Sequence, residues 1–263
     1  MPKVKNIIAE LPPAEVIDVK ALRESISSGD VDLVCVLGPT ASGKTRYAVR
    51  LAGELGGCEI ISADSRQVYR GMDIGTGKDL AEYGDVPYHL IDIAEPGTQY
   101  NVHRFQEDFQ AAVADIRARG AFPILCGGTG LYITAVTSSY DFVNKKPLSA
   151  AAAPSDARSK TYFIGTLVSR EERNARIDRR LDARLQEGMI DEIKGLLDRG
   201  VPAETLISYG LEYKFVTLYL LGQLDYDSMR TGLATAIHQF AKRQMTWFRG
   251  MERSGVRIHW TEV

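Results

Sequence analysis

The sequence predicts an α/β fold, a doubly wound parallel sheet with helices on both faces. Apolar runs that suit buried strands alternate along the chain with segments of helical periodicity. Two of these runs, residues 34–37 and 122–126, lead through glycine-rich turns directly into helices. Because parallel strands end at the same edge of a sheet, both turns are expected to face one crevice.

One domain is predicted over residues 31–263, after an N-terminal extension of residues 1–30. Residues 139–160 have no clear periodicity and are interpreted as a linker or a shortened insertion. The glycine-rich residues 71–78 are expected to form a polar, flexible connection outside the core. Strands are predicted at residues 34–37, 59–62, 89–93, 122–126, 161–168 and 256–260.

Helices are predicted where apolar residues recur at spacings of three and four. Ser169 and Glu172 form a capping box, which marks the start of one helix. The predicted helices are a short one between residues 18 and 29, one after residue 43, one at 101–119, one from 131, one from 169, and two at 190–197 and 226–248. The last of these is expected to bury Met229, Leu233, Ala236, Phe240 and Trp247 along one stripe.

Residues 38–45 read Gly-Pro-Thr-Ala-Ser-Gly-Lys-Thr and match the pattern G-x-x-x-x-G-K-[ST] between a strand and a helix. Glycines let successive backbone N–H groups point inward, and the helix N-terminus adds its positive end. Lys44 supplies a positive charge, and the Thr45 hydroxyl is suited to bind Mg²⁺. The pattern predicts a P-loop NTPase-like fold that binds a di- or triphosphate. The predicted binding residues are Gly38, Pro39, Thr40, Ala41, Ser42, Gly43, Lys44 and Thr45.

Carboxylates occur at the ends of two predicted strands. Asp64 lies just beyond its strand and is followed by Ser65, Arg66 and Gln67, and this density of polar side chains at a crevice favours a functional site. Asp92 lies within an apolar run, where it either caps a turn or serves the site.

Two helix faces are basic. The helix after Ser169 carries Arg173, Arg176, Arg180 and Arg184 along one face. Acidic residues nearby offer local partners, so both an ion-paired surface and a phosphate- or RNA-binding surface stay open. The last helix presents His238, Lys242 and Arg249 near aromatic residues, a pattern that slightly favours RNA or an anion.

The composition is that of a soluble globular protein. A formal net charge of −2 over 263 residues gives no overall attraction to nucleic acid, so any RNA contact must come from local basic patches. Cys35, Cys58 and Cys126 lack paired spacing and are expected to be core residues in a reducing compartment. No stretch reaches the length of a membrane span, and the N-terminus lacks a signal-peptide core. A cytoplasmic protein is expected.

Four stretches together carry a resemblance to a known family. They are the phosphate loop, residues 61–78 with Asp64-Ser65-Arg66-Gln67, residues 127–132 (Gly-Gly-Thr-Gly-Leu-Tyr) and residues 241–249 (Ala-Lys-Arg-Gln-Met-Thr-Trp-Phe-Arg). In this form and order they closely resemble the tRNA dimethylallyltransferases, also called tRNA isopentenyltransferases or IPP transferases.

The resemblance implies transfer of a dimethylallyl group from dimethylallyl diphosphate to N6 of adenosine-37, next to the anticodon of tRNA. It implies that the phosphate loop binds the diphosphate with Mg²⁺, and that Asp64 accepts a hydrogen bond or the proton from N6. The catalytic residues so implied are Asp64, Lys44 and Thr129. The tRNA-binding residues so implied are Asp64, Ser65, Arg66, Gln67, Thr129 and Lys242. The partner would be the anticodon stem-loop of tRNA, and the protein is expected to be a monomer.

The chain departs from the family pattern in three places. Family members usually carry a helical insertion of several dozen residues, where this chain has only residues 139–160. Near residue 208 the family tends to have Gly-Tyr-Arg or Gly-Tyr-Lys, where this chain reads Ser-Tyr-Gly-Leu-Glu-Tyr-Lys, and His238 stands where arginine is common. Three alternatives therefore stay open: free AMP, ADP or ATP as the acceptor, an inactive RNA-binding relative, and a P-loop small-molecule kinase.

Overall fold

The computed structural model describes residues 11–137, 140–141, 146–147 and 160–263. The strands are β1 (Leu33–Leu37), β2 (Cys58–Ser62), β3 (Tyr88–His89), β4 (Phe122–Gly127), β5 (Tyr140–Asp141), β6 (Lys146–Pro147), β7 (Thr161–Leu167) and β8 (Ile258–Glu262). The helices are α1 (Val19–Ser27), α2 (Lys44–Leu55), α3 (Val102–Ala118), α4 (Gly130–Thr137), α5 (Arg170–Gln186), α6 (Met189–Asp198), α7 (Ala203–Ser208), α8 (Leu211–Leu220) and α9 (Tyr226–Arg253).

The centre of the molecule is a six-stranded sheet in the order β3-β2-β4-β1-β7-β8, with every pair parallel. The middle strand β1 is buried throughout, as expected where both faces of a parallel sheet are covered by helices. Its register places Val36 beside Cys126 of β4 and Ile164 of β7. The predicted α/β fold class is confirmed. β5 and β6 form a separate antiparallel pair.

Three hydrophobic clusters fill the interior. Two of them pack on opposite faces of the sheet, one around Phe105 and Phe248 and the other around Leu51 and Ile60. The third lies among helices α5 to α9 and is centred on Tyr213. Because the helices of this third cluster pack on one another as well as on the sheet domain, they place side chains over the carboxyl edge of the sheet. We call this third cluster the helical core.

Several local predictions are confirmed. The short helix expected between residues 18 and 29 forms as α1, and the Asp18 side chain at its start accepts a hydrogen bond from the Ala21 N–H. Ser169 caps α5 by accepting from the Glu172 N–H at 3.2 Å. The three cysteines are buried and free.

Other predictions are wrong. The strand expected at residues 89–93 ends at His89, because Leu90 and Asp92 adopt positive φ angles of 61° and 56°. Residues 71–78 are not a flexible connection: Met72 is fully buried in the helical core. The Glu192 carboxylate holds this segment by accepting from the N–H groups of residues 73, 74 and 75. Helices α7 and α8 were not predicted.

The stripe expected on α9 is also wrong beyond Leu233. The buried residues continue through Ile237, Ala241, Gln244 and Phe248. Trp247 is 40% exposed, because it lies at the edge of the crevice. Most of residues 139–160, interpreted above as a linker or a shortened insertion, lie outside the described residues. Within the described residues, no helix is long and apolar enough to cross a membrane.

Candidate functional site

The phosphate loop joins β1 to α2 in a tight turn. Ala41 and Gly43 adopt positive φ angles of 60° and 78°, which turn the backbone so that α2 begins at Lys44. The Ser42 hydroxyl lies 2.6 Å from the Thr166 hydroxyl at the end of β7. A Cβ at Gly38 would collide with both hydroxyls, so glycine is required there. The loop is therefore anchored to the neighbouring strand as well as to its own helix.

The loop opens into a cavity of about 590 Å³. Its wall includes Lys44 and Thr45 of the loop, Arg46 and Arg50 of α2, and Arg176 and Arg180 of α5, together with Asp79, Glu82 and Glu262. Arg176 and Arg180 thus belong to the anion-binding side of the site, although each also has an acidic partner, Glu172 and Asp79 respectively. These two residues therefore combine features of both uses left open for the basic face of α5, because each is ion-paired and each lines the cavity.

Lys44 lies between this cavity and the Asp64 turn. Burial lowers the pKa of its ammonium group, while the nearby Cys126 and Asp64 side chains act in the opposite direction. A bound diphosphate would favour the charged form of Lys44 further, because opposite charges stabilise each other in a poorly solvated site.

Asp64 follows β2 and is one-fifth exposed. Its Oδ1 accepts a hydrogen bond from the Arg66 N–H at 3.0 Å and lies 3.8 Å from Arg66 Nε. In the described part of the chain these contacts involve Oδ1, which leaves Oδ2 for a substrate. The Arg66 guanidinium donates to Glu212 Oε2 at 2.7 Å and packs over the Phe240 ring. Arg66 is therefore held by the helical core, and its predicted contact with tRNA stays a prediction.

The second glycine-rich turn lies beside the Asp64 turn. The Thr129 hydroxyl accepts a hydrogen bond from the Ser65 N–H at 3.2 Å, and the Thr129 N–H donates to the Ala63 carbonyl at 3.2 Å. A Cβ at Gly127 would overlap the Ala63 backbone, so the two turns approach closely because residue 127 is glycine. The structure brings Thr129 and Asp64 together, as expected from their positions at two strand ends.

Gln244 of α9 joins the phosphate loop to this second turn. Its Oε1 accepts from the Thr40 N–H at 2.8 Å, and its Nε2 donates to the Gly128 carbonyl at 2.9 Å. The side chain is buried. A Cβ at Gly128 would lie 2.5 Å from Gln244 Nε2, so the turn leaves room for this amide. Gln244 was not among the predicted site residues, although a polar residue in phase with an apolar stripe is a signal that could have identified it.

Gln67 and Asp92 have structural partners. Gln67 donates to the Gly77 carbonyl at 3.3 Å. Asp92 forms an ion pair with Lys78, whose ammonium group also lies 2.9 Å from Asp73 Oδ1. Because the Lys78 side chain is fully buried, this network fixes the segment after Asp64. Of the two roles considered for Asp92, the structure supports the structural one.

Lys242 and Trp247 lie on the exposed side of α9. The Trp247 indole packs against Gly130 and donates to the Thr134 hydroxyl at 3.1 Å, so an exposed aromatic ring stands next to the Thr129 turn. His238 does not face solvent freely, because its Nε2 lies 2.9 Å from Asp178 Oδ1 of α5.

The oxygen donors near the phosphate loop suit Mg²⁺, which binds carboxylates, substrate phosphates and water. Thr45 lines the cavity together with Asp79 and Glu82. Within the described residues, no group of three or more His, Cys, Asp or Glu side chains could hold a metal ion by itself. The residues present therefore fit a Mg²⁺ ion whose remaining ligands are diphosphate oxygens and water.

Comparison with known proteins identifies the family. The family model described as IPP transferase matches residues 67–158 and 141–251, and the model described as isopentenyl transferase matches residues 31–83. A tRNA dimethylallyltransferase 1 from Porphyromonas gingivalis is 51% identical, over 88% of this chain and 94% of that protein. The chain belongs to the tRNA dimethylallyltransferase (IPP transferase) family.

Other relatives agree with this assignment. A tRNA dimethylallyltransferase 2 from Bacteroides fragilis is 47% identical, over 89% of this chain and 94% of that protein. The crystal structure of the full-length tRNA isopentenylpyrophosphate transferase from Bacillus halodurans superposes with a TM-score of 0.75 at 34% identity, covering 88% of this chain and 89% of that one. The alignment with the Porphyromonas family member spans 284 positions, more than the 263 residues of this chain, so the relative has residues opposite gaps here. This agrees with a short form of the family.

Proposed function

We propose that this family member transfers the dimethylallyl group of dimethylallyl diphosphate to N6 of adenosine-37 in the anticodon loop of tRNA, giving N6-dimethylallyladenosine. The observation that carries the proposal is the position of Lys44. It lines the phosphate-loop cavity, and it is close enough to Asp64 for the carboxylate charge to raise the pKa of its ammonium group. A diphosphate in the cavity and an amine at Asp64 would then both lie near the Lys44 ammonium group.

The phosphate-loop side is suited to a leaving group. As the bond between C1 of the dimethylallyl group and the diphosphate oxygen breaks, the electron pair stays on that oxygen. The added negative charge is stabilised by the loop N–H groups and by Lys44, with Arg176 and Arg180 across the cavity. Mg²⁺, when bound through Thr45, would supply further positive charge to the diphosphate.

Asp64 is suited to act on the attacking amine. An exocyclic aromatic amine is a weak nucleophile, and its proton becomes acidic as the new bond between N6 and C1 forms. Asp64 Oδ2 would take that proton while Oδ1 stays fixed by the Arg66 N–H. Thr129, joined to the same turn through Ser65, would hold the adenine or its ribose in place.

The exposed side of α9 is suited to tRNA. A base must leave its stack to reach the crevice, which a single-stranded loop permits at modest cost. Trp247 offers a partly exposed ring for stacking, and Lys242 an exposed positive charge for a phosphate. Ser65, Arg66 and Gln67 lie along the neighbouring turn. We also propose that the protein acts as a cytoplasmic monomer, which sedimentation at micromolar concentration would test.

The decisive assay incubates the purified protein with dimethylallyl diphosphate and Mg²⁺, and with either an anticodon stem-loop or AMP. Prenylated adenosine in the stem-loop alone supports the proposal. Product from AMP alone would replace it with adenylate dimethylallyl transfer. Turnover of ATP with a small alcohol would indicate a kinase, and stem-loop binding without turnover an inactive RNA-binding relative.

A further inference from the structure

Arg184 of α5 has an unusual environment. Its Nη2 atom is buried and has no hydrogen-bond partner within the described residues. The guanidinium packs so closely against Gly77 that a Cβ there would overlap it. Leaving a cation in such a place is costly, because an unpaired buried charge loses its hydration without compensation. Burial, with Arg180 beside it, lowers the pKa of the Arg184 guanidinium, which reflects the same cost.

The neighbouring arginines differ from Arg184 in having acidic partners. Arg180 donates to Asp79 Oδ2 at 2.6 Å, and Arg66 donates to Glu212 Oε2 at 2.7 Å. These carboxylates are therefore engaged elsewhere, and Arg184 forms no ion pair within the described residues.

Arg184 faces the phosphate loop across a small cavity of about 20 Å³. Thr40 and Ala41 of the loop line it together with the charged side chains of Arg180, Arg184 and Glu212 and the apolar side chains of Ile177, Leu181 and Ile237. A space of this size holds about one water molecule or one ligand atom. An oxygen atom there would lie beside the Arg184 side chain while staying next to the loop.

We propose that Arg184 is a diphosphate-binding residue, whose guanidinium donates to an oxygen of the diphosphate held in the phosphate loop. The inference rests on the proposed function, since it takes the ligand of the loop to be a diphosphate. It adds a charge-assisted hydrogen bond from the helical core to those that the loop itself supplies. The uncompensated burial of Arg184 then has a reason: the ligand completes the ion pair.

The test measures binding of inorganic pyrophosphate with Mg²⁺ by calorimetry, using the full chain. Arg184→Met keeps the length of the side chain and removes its charge. The matched control is Arg179→Met on the same helix, because Arg179 is two-thirds exposed and contacts Glu172. We expect the pyrophosphate Kd to rise about tenfold or more in Arg184→Met and to change less than twofold in Arg179→Met, in line with the strength of hydrogen bonds to charged groups. Arg184→Lys should be intermediate.

Stability separates this role from a structural one. Without pyrophosphate, Arg184→Met should melt at the same temperature as the wild type or higher, because it removes an unpaired buried charge. A pyrophosphate Kd within twofold of wild type in Arg184→Met, or an equal loss in Arg179→Met, would overturn the inference and leave a water molecule as the occupant. If Arg184→Met does not fold, the same criterion applies to Arg184→Lys. Failure of the wild type itself to bind pyrophosphate would overturn the proposed function as well, which the other outcomes leave intact.

Discussion

Replacement of Gln244 by methionine is expected to destabilise the protein by about 3 kcal/mol. The change keeps the length of the side chain but removes the hydrogen bonds to the Thr40 N–H and the Gly128 carbonyl, which measure 2.8 and 2.9 Å. Each lost bond costs about 1 kcal/mol net, and a backbone group left without a partner in a buried site adds to that cost. In a protein of this size, about 3 kcal/mol corresponds to a fall in Tm of roughly 6–12 °C.

The assay is urea unfolding of wild type and Gln244→Met, followed by circular dichroism. Gln239→Met is the matched control, since Gln239 is exposed on the same helix. We expect the control to unfold within about 0.5 kcal/mol of wild type, as most surface substitutions do. Gln244→Glu should be at least as damaging as Gln244→Met, because a carboxylate would face the Gly128 carbonyl without a proton to donate.

Ligand binding provides a second readout for the same variant. If Gln244 holds the phosphate loop and the Gly128 turn at a fixed distance, then Gln244→Met should also weaken pyrophosphate binding, because the Thr40 backbone is no longer anchored. A destabilisation of less than about 1 kcal/mol, with unchanged pyrophosphate binding, would refute the idea that this amide joins the two turns.

Three further predictions follow from the structure. Asp64→Ala should lower turnover by ~10²-fold or more with little effect on pyrophosphate affinity, whereas Lys44→Ala should weaken both; unchanged turnover in Asp64→Ala would remove this carboxylate from the mechanism. Lys78→Met should reduce the free energy of unfolding by about 2 kcal/mol, as measured by urea, because it removes the buried partner of Asp92 and of the Tyr69 carbonyl. Burial raises the pKa of the Cys58 thiol to about 11 and of the Cys126 thiol to about 12. Folding therefore favours the protonated thiols, and the free energy of unfolding should fall above about pH 8.5, by about 1.4 kcal/mol per pH unit for each thiol. Urea unfolding of Cys58→Ala and Cys126→Ala at pH 7.5 and 9.5 checks this. A free energy of unfolding that falls with pH as steeply in these variants as in wild type would contradict it.

The sheet side of the site could be predicted because its signals are local. The phosphate loop and the turns at Asp64 and Thr129 each lie at the end of an apolar run, and the carboxyl edge of a parallel sheet brings such ends together whatever the rest of the fold does. The prediction of a strand at residues 89–93 was wrong because it also relied on a local apolar run. An apolar run indicates burial but not backbone conformation, and here Asp92 turns toward Lys78.

The helical side could not be predicted in the same way. Arg176, Arg180 and Glu212 reach the site because α5 and α8 pack over the edge of the sheet, and that packing depends on contacts between residues far apart in the sequence. The error in α9 arose from a difference of one residue in the spacing of the buried stripe. The predicted stripe moves three residues on from Leu233, which buries the large aromatic side chains. In the structure the next buried residue is four positions on, at Ile237. This spacing turns Gln244 inward and leaves Trp247 at the crevice.

The departures from the family pattern also fall on this helical side. His238 stands where arginine is common, and in this chain it contacts Asp178. Glu212 lies in the stretch where the family tends to have an arginine or lysine, and it binds Arg66. In this chain, positive charge near the site is carried by Arg66 beside Asp64 and by α5, where Arg184 Nη2 has no hydrogen-bond partner within the described residues. In the proposed site, a diphosphate would meet positive charge from α5 across the cavity, while the loop, Asp64 and Thr129 lie at the sheet edge. Substitutions in α5 should therefore change how tightly the diphosphate is held, and substitutions at the sheet edge should change the chemical step.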